Sequence, residues 1–467
     1  MKVSDTLDVA AAPLGVEQEA WLEAAWAEID KDRLRALAAD MTSIPSPTGE
    51  ERTLAECLAE RLRAAGLQGR YQPIDPTQGN ALARLPGAGD GPDLLLYAPI
   101  DTLTAGNEEE DCPWEAPELR PDMRPDASIQ GDWVVGLGAS NPKGHGACLV
   151  AAAEAVRRAG IPLRGDLYVG LGAGGMPTNK RPVAHMTRYN AGQGSGCSFM
   201  LEQGLHTDYA VIAKPGWSVA WEEVGLCWFK VQVRGTFGYV GARHRIPYRN
   251  AVVESATVVT ALEAWFGEYT ARNTSGLVAP QGQVGAIEGG WTRTASLSPA
   301  VCNLYVDLRV SPRTPPVEAR RQFGAAMDAI ARANPHIDLD WDMILAIPGT
   351  STPPGSWIVQ SCARAWERVE GQPHQVAFGT SGATDANILR HRGIPTARVG
   401  MPKLRDPSGA EVDFSMGMNA VDVSDMARLT RLLVYAIVDT CGRRRAELRV
   451  GSSDREGETD GHRPASA

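Results

Sequence analysis

Asp93-Leu-Leu-Leu-Tyr-Ala-Pro-Ile-Asp101-Thr102 and Gly136-Leu-Gly-Ala-Ser-Asn-Pro-Lys143-Gly-His145-Gly146 are the two stretches on which the reading of this chain turns. An apolar run closed by a carboxylate reads as a buried parallel strand that delivers Asp101 to its carboxyl end, the edge where open α/β sheets place ligands. The second stretch is Gly-rich and passes into Ala147-Cys-Leu-Val-Ala-Ala-Ala-Glu-Ala-Val156, a strong helix former. Asn141 to Gly146 therefore lie at a helix N-terminus with free backbone N–H groups. An acidic, Pro-rich loop carrying Trp114 joins the two arms, and both point into one cleft.

Working outward, Glu17 to Met41 carries helical spacing of Trp21, Leu22, Ala25, Trp26, Ile29, Leu34 and Leu37, and stops at Ser43-Ile-Pro-Ser-Pro-Thr-Gly-Glu50, where two prolines forbid continuation. Glu50 to Ala65 reads as a second helix with Gly66 as its stop. Asn80 to Leu85, the run to Asp101, Gly165 to Leu171 and Asp208 to Ala213 read as strands alternating with helices. Asn179 to Gly204, rich in Gly, Arg and Ser, reads as a long loop near the cleft mouth. From Trp228 to Trp341 the order changes to strand, helix, strand, strand, helix, strand, the ferredoxin-like βαββαβ pattern. A helix from Ser356 to Glu370, a strand around Gln375 to Phe378 and a closing helix from Val421 to Ile437 complete the pattern.

The two arms resemble those of the zinc exopeptidase and deacylase family that includes acetylornithine deacetylase, succinyl-diaminopimelate desuccinylase, the carboxypeptidase G type and the aminoacylases. There the first arm reads Gly-His-x-Asp-Thr/Val and the second Gly-Arg-Gly-x-x-Asp-x-Lys-Gly-Gly; here Asp101, Lys143 and Gly144 keep the frame. Glu288-Gly-Gly-Trp291, Asp307-Leu-Arg309-Val-Ser-Pro312, Thr384-Asp385 and Ile394-Pro-Thr-Ala-Arg-Val-Gly400 match further signatures, so the resemblance covers roughly residues 30 to 440. It implies an α/β fold, a mixed, mainly parallel sheet flanked by helices, with an inserted ferredoxin-like lid domain. The expected boundaries are 1–223 for the first part of the catalytic domain (1–16 loose), 224–341 for the lid, 342–443 for the second catalytic part and 444–467 for a disordered tail.

The same resemblance implies a pair of zinc ions, and its five ligand places hold Pro99, Asn141, Gly175 (in the Gly174-Gly175 pair), Lys214 and Met416. Zinc takes imidazole, thiolate or carboxylate. Three carboxylates and two imidazoles are gone, so no metal cofactor is expected. Lys143, Lys214 and Asp101 remain as the charges of a small cationic site in a helix N-terminal field, suited to a carboxylate-bearing or carbonyl substrate. His145, beside Lys143, is the candidate neutral-pH base, set against a histidine on the surface at a helix start. Asp101, Lys143, His145 and Lys214 form the catalytic set, and Asn141, Tyr239, His244, Arg309, Thr384, Asp385 and Met416 the substrate-binding set. Tyr239 falls where the family's lid histidine stands, and His244 lies nearby. Ser140-Asn-Pro-Lys143 also spells Ser-x-x-Lys, but without the partner motifs of penicillin-recognising enzymes. Cys148 is expected to face the helix interior. His185, Arg181, Arg188, Ser195 and Ser198 lie in or beside the Gly-rich stretch.

The 467 residues exceed one ordinary core, and 43% hydrophobic content with a formal charge of -10 excludes nucleic acid and anionic membrane as main partners. Eight cysteines at 57, 112, 148, 197, 227, 302, 362 and 441 form no close pairs, which reads as reduced thiols in a cytoplasm. No segment resembles a signal peptide or a membrane span. Three functions stand open. The first is a cytoplasmic homodimer, joined through the lid, that hydrolyses a small anionic amide without zinc. The second is an inactive descendant, with Lys214 paired to Asp101, that binds a small molecule or partner. The third, if the register is shifted, is an ordinary dizinc deacylase.

Overall fold

A computed structural model describes residues 6–112, 114–115, 117–178, 192–404 and 417–448. The chain forms two compact units, one of Asp8–Trp217, Gly355–Gln372 and Val399–Ala467, the other of Met1–Leu7, Ser218–Pro354 and Pro373–Arg398.

In the first unit, strands Arg70–Pro73, Gly79–Leu85, Leu167–Gly172, Leu94–Pro99 and Tyr209–Ala213 lie side by side in that order. The first three pair antiparallel, while Leu94–Pro99 runs parallel to both of its neighbours. This is the mixed sheet expected. Every residue of Leu94–Pro99 is buried, and each leucine so removed from water stabilises the fold by about 1.5–3 kcal/mol. Helices Lys143–Arg158, Trp357–Glu370 and Val423–Cys441 flank the sheet.

The expected helix from Glu17 to Met41 is two helices, Val16–Ala27 and Lys31–Thr42. Asp30 makes the break, its Oδ1 accepting from Asp32 N at 2.8 Å as a new N-cap. The Gly-rich stretch holds a helix, Ser195–Glu202, where a loop was expected; Ser195 and Ser198 lie on it, and His185, Arg181 and Arg188 fall outside the described residues. Arg445–Leu448 forms a short 3-10 helix within the expected tail, the rest of which falls outside the described residues.

At the far end of this unit the closing helix grips the start of the chain. Buried Asp439 binds Arg364 at 2.7 Å and Arg443 at 2.8 Å. These two arginines and Gln360 donate to the carbonyls of Asp8, Ala10, Ala12 and Pro13.

The second unit contains a four-stranded antiparallel sheet in the order Gly282–Gly289, Val301–Val310, Gly225–Arg234, Asp338–Ile347, with helices Ala251–Asn273 and Pro316–Ala333 supplied in βαββαβ order. Its core stacks Phe229 on Phe323 with centroids 4.0 Å apart, and Trp265 and Trp341 meet the Phe323 ring edge-on. Gln375 to Phe378, expected as a strand, makes only an isolated bridge from Gln375 to Thr6. Among the described residues no helix is long and apolar enough to cross a membrane.

Candidate functional site

The strand Leu94–Pro99 ends beside Gly172, whose carbonyl takes Ile100 N–H at 2.9 Å, and the chain then turns Asp101 inward. Asp101 is fully buried. Its Oδ1 accepts from Gly175 N at 2.8 Å, and its Oδ2 from Met176 N at 2.9 Å and Thr48 Oγ1 at 2.8 Å. Burial pushes this carboxyl above the usual range, while the Met176 N–H and the Lys214 ammonium pull it back.

A second buried carboxyl, Glu51, stands close by and has no counterpart in the sequence reading. Its Oε1 accepts from Gly49 N and Gly174 N, both at 2.9 Å. Burial first, then the charge of Asp101, pushes Glu51 up to about 8. Gly174, Gly175 and Met176 thus present backbone donors to two carboxyl groups where the family resemblance would place a pair of glutamates. Nothing in the spacing separates Glu51 from the exposed Glu50 beside it, so no signal short of the fold finds it.

On the second arm the Asn141-Pro142 peptide is cis and the helix begins at Lys143. Lys143 was expected to present its charge to the cleft. Instead it is fully buried, and its Nζ donates to Ile44 O at 2.8 Å and Thr42 O at 3.4 Å, satisfying carbonyls at the end of the Lys31–Thr42 helix. Burial lowers its ammonium to about 7. His145 is neither a surface residue nor an open base. It too is fully buried, with Nδ1 2.7 Å from Ser140 O and Nε2 accepting from Met401 N at 3.2 Å. Because Met401 N–H can only donate, the imidazole is neutral with its proton on Nδ1.

Lys214 follows the strand Tyr209–Ala213 and is mostly buried. Its N–H meets Val399 O at 2.9 Å and its Nζ donates to Asn141 Oδ1 at 3.2 Å. Asn141 also lines a cavity of about 270 Å3 whose wall includes Thr102, Leu103, Met123, Leu137 and Met418. The structure therefore brings together Asp101, Asn141 and Lys214, adds Glu51, and turns Lys143 and His145 into backbone ties.

These residues do not fit a zinc pair of the family type. Asn141 Oδ1 already accepts from an ammonium, Lys214 is itself a cation, Gly175 has no side-chain ligand and turns its N–H to Asp101, and the Asp101 oxygens are engaged by three donors. Pro99 has no donor atom, and Met416 lies outside the described residues. Among the described residues no group of three His, Cys, Asp or Glu side chains could hold a metal.

The remaining expected site residues lie in the other unit. Tyr239 and His244 are exposed. Arg309 binds Asp307 at 2.8 Å and lines a shallow cavity with Ser381 and Gly382. Thr384 donates to Glu223 Oε2 at 2.6 Å, and buried Asp385 precedes the helix Ala386–His391. Glu223, with Arg390 at 3.7 Å and Arg398 at 3.5 Å, is a buried ionic group that spacing did not single out.

No family model matches the chain. Solved structures do. A dipeptidase from Saccharomyces cerevisiae is similar over 90% of this chain and 99% of its own, with a TM-score of 0.67 at 12% identity. Human carnosine dipeptidase 1 is similar over 92% and 100%, with a TM-score of 0.65 at 12% identity. A hydantoinase/carbamoylase family amidase from Burkholderia ambifaria is similar over 91% and 98%, with a TM-score of 0.58 at 18% identity. At such identities the likeness is one of fold, and it is the fold that the two arms imply.

Proposed function

We propose that this protein is a hydrolase of amide C–N bonds acting on a small carboxylate-bearing molecule, with Lys214 and Asn141 standing where the family resemblance would place metal ligands. The observation that carries the reading is the Lys214 Nζ to Asn141 Oδ1 contact of 3.2 Å beside the cavity. A mostly buried ammonium with an amide partner is a preorganised site for a carboxylate or for the oxygen of a polarised carbonyl. The similar structures, two dipeptidases and an amidase, support the bond class. A homodimer through residues 224–341 and a cytoplasmic setting belong to the same reading, and sedimentation of the purified protein tests the first.

A second reading, recognition without turnover, is favoured by one specific observation. Lys143 and His145, the two bases nearest in sequence, have their polar atoms on backbone groups. Water activation would then fall to another group.

The deciding experiment exposes chelator-treated protein to a panel of dipeptides and N-acyl amino acids, following both hydrolysis and binding heat. Turnover that survives chelation and falls about 100-fold in Lys214→Met supports hydrolysis at this site. Saturable binding without turnover, lost in Lys214→Met, supports the second reading. Turnover abolished by chelation and restored by zinc would overturn the metal-independent site.

A further inference from the structure

Residues 174–176 form a turn whose consecutive N–H groups divide between two buried carboxyl groups. Gly174 N donates to Glu51 Oε1 at 2.9 Å, while Gly175 N and Met176 N donate to Asp101 at 2.8 and 2.9 Å. Gly174 takes a φ of 61°, and a Cβ there would lie 2.1 Å from Ser195 Oγ, so the turn has no room for a side chain at this position.

The two carboxyl groups receive their donors differently. Asp101 is met on both oxygens, and the Lys214 ammonium bears on it as well. Glu51, fully buried, takes Gly49 N, Gly174 N and Gln78 Nε2 at 2.9, 2.9 and 3.4 Å, all on Oε1. Among the described residues its Oε2 meets no donor. One oxygen crowded with donors beside one that has none is the pattern of a carboxylic acid, whose carbonyl oxygen accepts and whose hydroxyl donates. Gln78 supplies the other half of that pattern. It too is fully buried, and its Oε1 is a second acceptor without a donor among the described residues. A proton on Glu51 Oε2 and the Gln78 carbonyl answer one another, closing an acid–amide ring with the Nε2 contact already present.

The charged groups around Glu51 leave it without a cation. Asp101 acts on it as a like charge, and with burial raises it to about 8. Tyr71 is a neutral neighbour, Asp75 is turned to the N–H groups of Thr77 and Gln78 at 2.8 and 2.7 Å, and the Arg52 guanidinium goes to Glu56 at 2.9 Å and Pro76 O at 3.2 Å.

We infer that Glu51 is a positioning residue held as a carboxylic acid, its Oε2 proton given to Gln78 Oε1, so that Asp101 is the one negative charge set against Lys214. This deepens the carboxylate site proposed above and rests on that reading for its ligand half; the proton on Glu51 does not. With Glu51 neutral, the Lys214 ammonium and the Asp101 carboxylate balance, and the amide of Asn141 and the ammonium can take an incoming carboxylate. Ionised Glu51 adds a second negative charge to the turn that holds Asp101 and opposes that ligand. The site therefore takes carboxylates only while Glu51 keeps its proton.

The test has two arms on the full chain. Infrared difference spectra are expected to show the carbonyl band of a protonated carboxyl at about pH 7, lost in wild type as pH rises through about 8 and absent from Glu51→Gln. Gln78→Leu, which removes the acceptor of the proton, should lose the band at lower pH than wild type. In the second arm binding heat follows N-acetyl-alanine, whose only titrating group is its carboxylate. Wild-type affinity should fall about tenfold from about pH 7 to about pH 9, the loss expected if only protein with neutral Glu51 binds. Glu51→Gln, which stays neutral, should bind as tightly at the higher pH as at the lower, and Lys214→Met should bind at neither. If N-acetyl-alanine binds at no pH while the band behaves as stated, the Lys214 reading fails and the proton on Glu51 stands. Absence of the band from wild type, a band that persists in Glu51→Gln or is unmoved in Gln78→Leu, or an alkaline loss of affinity that survives Glu51→Gln overturns the proposal.

Discussion

The two arms end in opposite ways. On the first, a carboxylate is wrapped in backbone donors, with Asp101 taking Gly175, Met176 and Thr48. On the second, an ammonium and an imidazole are set against backbone carbonyls, with Lys143 on Ile44 and Thr42 and His145 on Ser140. The charged residues that keep the family frame therefore tie loops to the sheet edge, and a buried charge serves that task only when its hydrogen bonds are complete. The cation that meets a side chain instead of backbone is Lys214, at one of the positions where the frame is broken.

If the first arm is the more heavily committed, Asp101→Ala should be the costliest change. It strands the N–H groups of Gly175 and Met176, while the Thr48 hydroxyl keeps the Thr102 carbonyl at 3.0 Å, and is expected to lose about 3 kcal/mol in denaturant unfolding, with Asp101→Asn losing less. An alanine variant as stable as wild type would show that the arm is held by packing alone. On the second arm Lys143→Met keeps the volume but leaves the Ile44 and Thr42 carbonyls without their donor. The loss should be about 1–2 kcal/mol, moderated because a desolvated ammonium is removed as well.

Titration sharpens the contrast. Glu51, held at about 8 against an ordinary 4.5, binds its proton more firmly when folded. Its contribution is complete below about pH 4.5 and is lost as pH rises through about 8. Lys143, at about 7 against 10.5, releases its proton earlier when folded, so the cost of burying it is full below about pH 7 and is relieved towards 10.5. Stability should fall through Glu51 as pH rises from about 4.5 to about 8, and recover through Lys143 as pH rises from about 7 to about 10.5. Unfolding curves across pH for Glu51→Gln should lack the first limb, and those for Lys143→Met the second; a limb that persists in its variant has another origin. The smallest effect is expected from His145→Gln, about 1 kcal/mol from one exchanged hydrogen bond. A large loss of turnover in that variant, with an ionisation near neutral pH disappearing from the rate profile, would return His145 to the role of base.

Much of the architecture was legible because it rests on periodicity. Buried strands announce themselves as Leu94-Leu-Leu-Tyr-Ala98 does, and the alternation in Trp228-Phe-Lys-Val-Gln-Val233 reads as one face turned to a core. The broken first helix was missed because Leu22, Ala25, Ile29 and Leu34 keep helical spacing across Asp30, and the cap that interrupts them is a local hydrogen bond. The site was legible as positions but not as directions. A lysine side chain spans several bonds, and nothing around residue 143 says that its Nζ reaches back to carbonyls at residues 42 and 44. Glu51 escapes the sequence for the same reason, since its meaning depends on burial beside the charge of Asp101.

The grip of the closing helix on the start of the chain carries a mechanical consequence. Asp439 anchors two arginines that reach the carbonyls of Ala10, Ala12 and Pro13. Tension applied at residue 8 is therefore delivered to the far end of the helix Val423–Cys441 rather than to the sheet. In a pulling experiment the first rupture should free the segment from Asp8 to Pro13 from Gln360, Arg364 and Arg443, leaving the strand edge that holds Asp101 and Lys214 under no load.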